Sequence, residues 1–336
     1  MNLRQFVLLK RPSGLPDESV FGLEEIKKPT EIKDDELSLH GLYYSVDPYM
    51  RGRMNDAKSY VPPFSLHQPI DGSVVARVTE SKAKSFKVGD LVFGQLPWAT
   101  DMTVCSSQVE KIGSTDEAHA SEYLGVLGMT GLTAYLGLLE IGKPKAGETV
   151  VISGAAGAVG CVVGQIAKIK GCGAVGIVGS AEKKKLLKEQ YHFDQTINYK
   201  DADDLESLIK KACPKGIDVY FDNVGGTISD AVLKNMNFHG RVVVCGQISL
   251  YNSKEAPQGP RLQPLLLVRS ISMQGFIVHD FKEKFPETLK VLSQWLREGK
   301  LKSSETIMKG FSNLPKAFIG LFSGKNIGKM IVKADS

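Results

Sequence analysis

The sequence predicts an α/β protein, with a doubly wound parallel sheet joined to a small β-barrel. Three observations carry this. A short β-branched strand at residues 149–153 runs into Gly154-Ala155-Ala156-Gly157-Ala158-Val159-Gly160 and then into an apolar helical stretch over 158–170. From there strand and helix patterns alternate to residue 276, which forces parallel pairing through right-handed crossovers. Before residue 121 the chain instead shows short strand-like runs punctuated by Gly and Pro, the pattern of a small barrel.

Taken in order, residues 4–9 alternate as a strand, and 21–26 and 36–45 are further strands. Asp71-Gly72 precedes the β-branched run 73–78 within 69–79, and Ser85 to Gly94 reads as a tight turn feeding another strand. Asp47 to Arg53 and residues 59–69 read as loops. Composition shifts near Ser121, and 123–139 has the length and apolar content of one helix. Strands are expected at 149–153, 174–179, 195–198, 217–222, 240–245 and 272–276. Helices are expected at 158–170, 182–190, 202–212, 226–235, 262–269 and 285–298, the last amphipathic and carrying Trp295. The mixed segment 304–334 has too little apolar content for a domain and is expected to pack back on the first one. The expected domains are 1–122, 123–300 and a returning segment 301–336.

Composition is that of an ordinary soluble enzyme: 336 residues, 42% hydrophobic, 24% charged, formal net charge +5. The basic residues are scattered, with no basic stripe interleaved with aromatics, so nucleic acid is not an expected partner. No apolar run is long enough to span a bilayer and the first ten residues lack a signal-peptide core, so neither membrane nor export is expected. Five cysteines, Cys105, Cys161, Cys172, Cys213 and Cys245, are far apart and form no C-x-x-C pair. They read as reduced thiols in a cytoplasmic protein. None of the six histidines belongs to an H-E-x-x-H or a Cys/His set, so no metal site is expected, and no G-x-S-x-G supports a serine nucleophile.

The chemistry concentrates at the glycine turn. Glycines let the backbone bend sharply, and the following helix aims free N–H groups and its positive dipole end at the turn, where a pyrophosphate fits. Gly157 and Gly160 match the second and third places of the G-x-G-x-x-G fingerprint, whereas Ala155 stands in the first. The next strand ends on Gly179 and Ser180, where a site for NAD carries Asp or Glu, with Lys183 to Lys185 just beyond. A carboxylate would repel a 2′-phosphate; a hydroxyl and an ammonium would bind one. The expected cofactor is therefore NADP(H), with Lys183 at the phosphate or, alternatively, on a solvated helix face. Three further segments lie at carboxyl ends of strands: Asp222 to Gly226, Cys245 to Asn252, and Gly275 to Val278. Asn223 is a hydrogen-bonding partner for ribose or carboxamide, or simply an Asx turn. Cys245 reads as packing.

The residues Val46-Asp47-Pro48-Tyr49-Met50-Arg51, Gly128 to Tyr135, Gly157-Ala158-Val159-Gly160, Asn198-Tyr199-Lys200, Tyr220 to Gly226, Cys245 to Asn252 and Asn326-Ile327-Gly328-Lys329 lie in order along nearly the whole chain. In these the chain resembles the zinc-independent branch of the medium-chain dehydrogenase/reductase superfamily, the branch of leukotriene 12-hydroxydehydrogenase/prostaglandin reductases, plant double-bond reductases and curcumin reductase-like enzymes. Where that family often has proline, this chain has Thr130. The resemblance implies a GroES-like barrel carrying a Rossmann domain. It implies NADPH held by Gly157, Ala158, Val159 and Gly160, with Lys183 and Tyr199 at the 2′-phosphate. Asn223, the loop Cys245, Gly246, Gln247, Ile248, Ser249 and Tyr251, the backbone of Phe276, Ile277 and Val278, and Asn326 complete the cofactor site. It also implies a homodimer joined through sheet edges, and reduction of a C=C bond conjugated to a carbonyl, by hydride transfer to the β-carbon and protonation of the resulting enolate at the α-carbon, without zinc. Tyr251 is the candidate donor to the enolate oxygen, or a ring packed on the nicotinamide. Tyr49 and Arg51 line the substrate pocket or anchor their loop. The alternatives are a quinone reductase or zinc-free alcohol dehydrogenase on the same fold, or a non-catalytic NADPH-binding protein.

Overall fold

A computed structural model describes residues 2–29, 31–113, 117–201 and 203–335. The chain divides into two compact units: Met1–Leu124 with Glu305–Asn326 and Met330–Ser336, and Gly125–Ser304 with Ile327–Lys329.

In the first unit, β1 (Asn2–Leu8) and β2 (Phe21–Lys27) form an antiparallel hairpin. The larger sheet uses β3 (Glu36–Ser45), β4 (Asp71–Ser81), β5 (Leu91–Pro97), β6 (Asp101–Cys105) and β7 (Val109–Lys111). The C-terminal strands Glu305–Lys309 and Lys329–Lys333 extend it, Ile331 pairing with Ser45 and Val332 with Tyr44. Inside, Trp98, Tyr44, Phe311 and Phe318 are fully buried. The Tyr44 and Phe311 rings meet edge-on at 5.2 Å, and the Tyr44 hydroxyl donates to Ala99 O at 2.7 Å, so the phenol is both packed and satisfied. The segment expected as loop at Asp47 to Arg53 contains a helical turn, Met50–Arg53, because Met50 is drawn fully into this core. The strands β6 and β7 and both C-terminal strands are not among the expected ones; they are fixed by pairing across the sheet, β6 and Lys329–Lys333 with the distant β3.

The second unit holds the parallel sheet. Its strands are β8 (Thr149–Ser153), β9 (Gly173–Val178), β10 (Gln195–Asn198), β11 (Ile217–Asp222), β12 (Met236–Val244) and β13 (Ser272–Gly275). Their order is β10-β9-β8-β11-β12-β13, parallel throughout, reversing direction of growth beside β8. Val150, Val151, Ile152, Val219, Tyr220 and Phe221 are completely buried, as strands covered on both faces require. The expected helix over 123–139 is broken: a 3₁₀ helix ends at Leu124, and an α-helix begins only at Met129–Leu136. Gly128 is extended there, while the Thr130 hydroxyl and the Gly131 N–H both donate to Gly125 O, at 2.9 and 3.2 Å. Thr130 thus pins the turn that interrupts the helix.

Candidate functional site

The glycine turn sits where β8 meets the helix Gly160–Ile169. Gly157 N donates to Gly154 O at 2.9 Å, and a Cβ on Gly160 would lie 2.4 Å from that same carbonyl. Only glycine lets the helix start so close to the strand. Ala155, at the first place of the fingerprint, is fully buried and donates its N–H to Ile177 O; it packs against the sheet. Gly157, Ala158 and Val159 form a half-exposed lip at the helix start. Gly328 N donates to Ala156 O at 2.8 Å and bridges Gly157, so Ile327–Lys329, just after Asn326, buttresses the turn. Local sequence carried no sign of that long-range contact.

At the end of β9, Ser180 caps the helix Ala181–Glu189, its hydroxyl accepting from Lys183 N at 3.3 Å. Burial, and then the charge of Lys200, hold the Lys183 ammonium below the ordinary lysine range, against a smaller opposing pull from Glu182. The Tyr199 ring closes on Gly179, where a Cβ would stand 3.0 Å from it. Two ammoniums, a hydroxyl and a phenol therefore gather where an acidic residue would bind unphosphorylated ribose. They fit a 2′-phosphate, because a dianion relieves the repulsion between the two lysines. Lys200 was not singled out as a cation from the sequence; its place beside Tyr199 was the available signal.

At the end of β11, Asn223 donates its N–H to Ser153 Oγ (2.9 Å) and its Nδ2 to Ser153 O (2.8 Å), tying the β8 and β11 ends together. A cleft of about 480 Å³ opens beyond β12 and β13. From the first come Cys245, Gly246, Gln247 and Tyr251; from the second, Phe276, Ile277 and Asp280. Ile248 and Ser249 instead bind the loop to its neighbour, through Ile248 N to Asn223 O and Ser249 N and Oγ to Val224 O. Val278 turns into an apolar cluster with Leu132 and Leu136. The Tyr251 hydroxyl oxygen accepts from Gln247 N at 3.2 Å, which leaves its own proton to donate. Burial raises its pKa, so the phenol stays protonated at neutral pH. Burial, then the charge of Asp222, push the Cys245 thiol up to about 12, an inert neutral group.

In the first unit, Tyr49 is half-buried and hydrogen-bonded to Gln95, and burial raises its pKa. Arg51 is buried, with Nη2 on Gly14 O (2.8 Å) and Pro12 O (3.2 Å) and Nη1 on Asn55 Oδ1 (2.7 Å). That guanidinium has the geometry of a loop anchor. Among the described residues no group of three or more His, Cys, Asp or Glu side chains could hold a metal ion.

A family described as the N-terminal domain of oxidoreductase matches residues 4–112, and one described as zinc-binding dehydrogenase matches residues 158–294. The described side chains do not fit the zinc of the second description. The chain is 54% identical to a Bacillus subtilis protein provisionally named an NADP-dependent oxidoreductase, over 98% of this chain and 97% of the other. It is 43% identical to the NADPH-dependent curcumin reductase of Escherichia coli, over 98% of this chain and 96% of the other. The crystal structure of CurA in complex with NADPH from Vibrio vulnificus superposes with a TM-score of 0.94, at 42% identity, over 99% of both chains.

Proposed function

This chain belongs to the zinc-independent medium-chain dehydrogenase/reductase family, and on that premise we propose that it is an NADPH-dependent reductase of C=C bonds conjugated to a carbonyl. The observation that carries this reading is the protonated Tyr251 phenol, held by Gln247 N on the wall of the cleft beyond β12 and β13. When bound, NADPH supplies a hydride to the β-carbon of the enone. Negative charge then develops on the carbonyl oxygen, and Tyr251 donates a hydrogen bond to it, an interaction worth roughly 3 kcal/mol in such sites; a proton delivered from solvent to the α-carbon of the enolate completes the reduction.

The remaining residues bind and orient. Gly157, Ala158, Val159 and Gly160 receive the pyrophosphate at the helix N-terminus. Ser180, Lys183, Tyr199 and Lys200 take the 2′-phosphate. Asn223, the loop Cys245 to Ser249 and the backbone of Phe276, Ile277 and Val278 hold the nicotinamide half. In the first unit Arg51 anchors the loop that carries Tyr49.

The unpaired cysteines suit the reducing cytoplasm. The exposed edge strand β13 suits pairing with a second copy of the chain, which light scattering of the purified protein would register as a dimer. The activity test is NADPH oxidation against enals, enones, quinones and saturated ketones. Turnover confined to enals and enones is expected. Quinone activity far above enone activity points to a quinone reductase, and tight NADPH binding without turnover to a non-catalytic binder.

A further inference from the structure

One buried ionisable group has no part in that scheme. Asp222, at the carboxyl end of the central strand β11, is 4% exposed. Its Oδ1 accepts from Ser153 Oγ (2.9 Å), Tyr220 OH (2.8 Å), Val224 N (3.0 Å) and Gly225 N (2.9 Å). Its Oδ2 accepts from Ser229 Oγ at 2.8 Å. All five donors are neutral, and among the described residues no lysine, arginine or histidine pairs with it. Burying a carboxylate with no counter-ion is costly even when its hydrogen bonds are complete. A neutral acceptor would serve a turn equally well.

The backbone of the same residue supports the cleft wall. Asp222 O accepts from Cys245 N at 2.9 Å and from Gly246 N at 3.0 Å, and both residues line the cleft. Its charge reaches Cys245 and Tyr251, disfavouring their ionised forms. A field that opposes negative charge in the cleft favours positive charge there. The nicotinamide ring is neutral in NADPH and carries a formal positive charge in NADP⁺, after its hydride and electron pair have passed to the substrate.

We propose that Asp222 is a positioning residue of electrostatic kind, a fixed buried anion that favours the oxidised, cationic nicotinamide over the reduced, neutral one. The inference rests on the reading of this cleft as the nicotinamide site.

The test compares dissociation constants for NADP⁺ and NADPH by calorimetry, in wild type, Asp222→Asn and Ser229→Ala. Asparagine keeps the Oδ1 acceptor for four donors and can donate Nδ2 to Ser229 Oγ, so shape is retained and charge is lost. Ser229→Ala removes a hydrogen bond and retains the charge. Asp222→Asn is expected to weaken NADP⁺ relative to NADPH roughly tenfold, the order of a unit charge acting at an effective dielectric of ~20, while Ser229→Ala leaves the ratio unchanged. Equal weakening of both cofactor forms by Asp222→Asn would make Asp222 a scaffold residue and overturn the proposal, as would an unchanged ratio. If Asp222→Asn does not fold, Asp222→Ser, also uncharged, is read by the same ratio. Failure of the functional reading shows separately, in wild type: binding of both cofactor forms without enone turnover removes the enone assignment and leaves the ratio test intact. Wild type that binds neither form overturns both.

Discussion

Replacing Lys183 with alanine should separate the two forms of the reduced cofactor. The Lys183 ammonium is partly desolvated and lies close enough to Lys200 for the two charges to repel. A 2′-phosphate placed there would gain a charge-assisted hydrogen bond, worth about 2 kcal/mol, and would relieve that repulsion. Loss of the group should therefore weaken NADPH roughly 30-fold and NADH less than about twofold, since NADH has no phosphate at that position. The stabilisation that saturating NADPH confers on folding should fall by about 2 kcal/mol at fixed concentration, visible as a smaller ligand-induced rise in melting temperature. The sign with pH follows from the same residue. Its pKa in the free protein is depressed, so NADPH affinity should decline on the alkaline side at a pH below that of an ordinary lysine, and Lys183→Ala should lose that limb. Fluorescence titration with both cofactors across this range checks it. Equal losses for NADPH and NADH, or an unchanged alkaline limb, would refute a phosphate contact and leave Lys183 as part of a solvated helix face.

Tyr251→Phe should lower kcat about 100-fold with an enone, near 3 kcal/mol of transition-state stabilisation, with the NADPH dissociation constant unchanged; stopped-flow hydride transfer and calorimetry read the two separately. Arg51→Met should destabilise the protein by about 3 kcal/mol in urea unfolding, because it strips donors from Gly14 O and Pro12 O in a buried site, while cofactor affinity stays constant. Gly164→Ala should cost about 1–3 kcal/mol by overpacking, since its Cβ would fall 1.8 Å from Phe193 Cζ; thermal melts check it.

The elements of the parallel sheet were legible because their signal is local. Strands 149–153, 195–198 and 217–222 were expected with the observed bounds, each being a short run bounded by turn residues. Residues 123–139 misled, because glycine and threonine at 125–131 choose their hydrogen bonds through the backbone conformation, and composition does not record that. The strands at 101–105, 109–111, 305–309 and 329–333 carry no such frame of alternating helices, and they are fixed by pairing across the sheet, 101–105 and 329–333 with the distant 36–45.

In the site the division is similar. Chain order alone determined the glycine turn, the lack of an acidic residue after the second strand, and the loops at strand ends, because each depends on a few adjacent residues. Only the folded chain decided that Lys200 joins Lys183, that Tyr251 is held by Gln247 N, that Arg51 is bound to the carbonyls of Pro12 and Gly14, and that the Asp222 carboxylate is buried among neutral donors. Those are relations of charge, burial and donor direction. They arise between side chains whose surroundings are set by packing, so no reading of neighbours along the chain contains them.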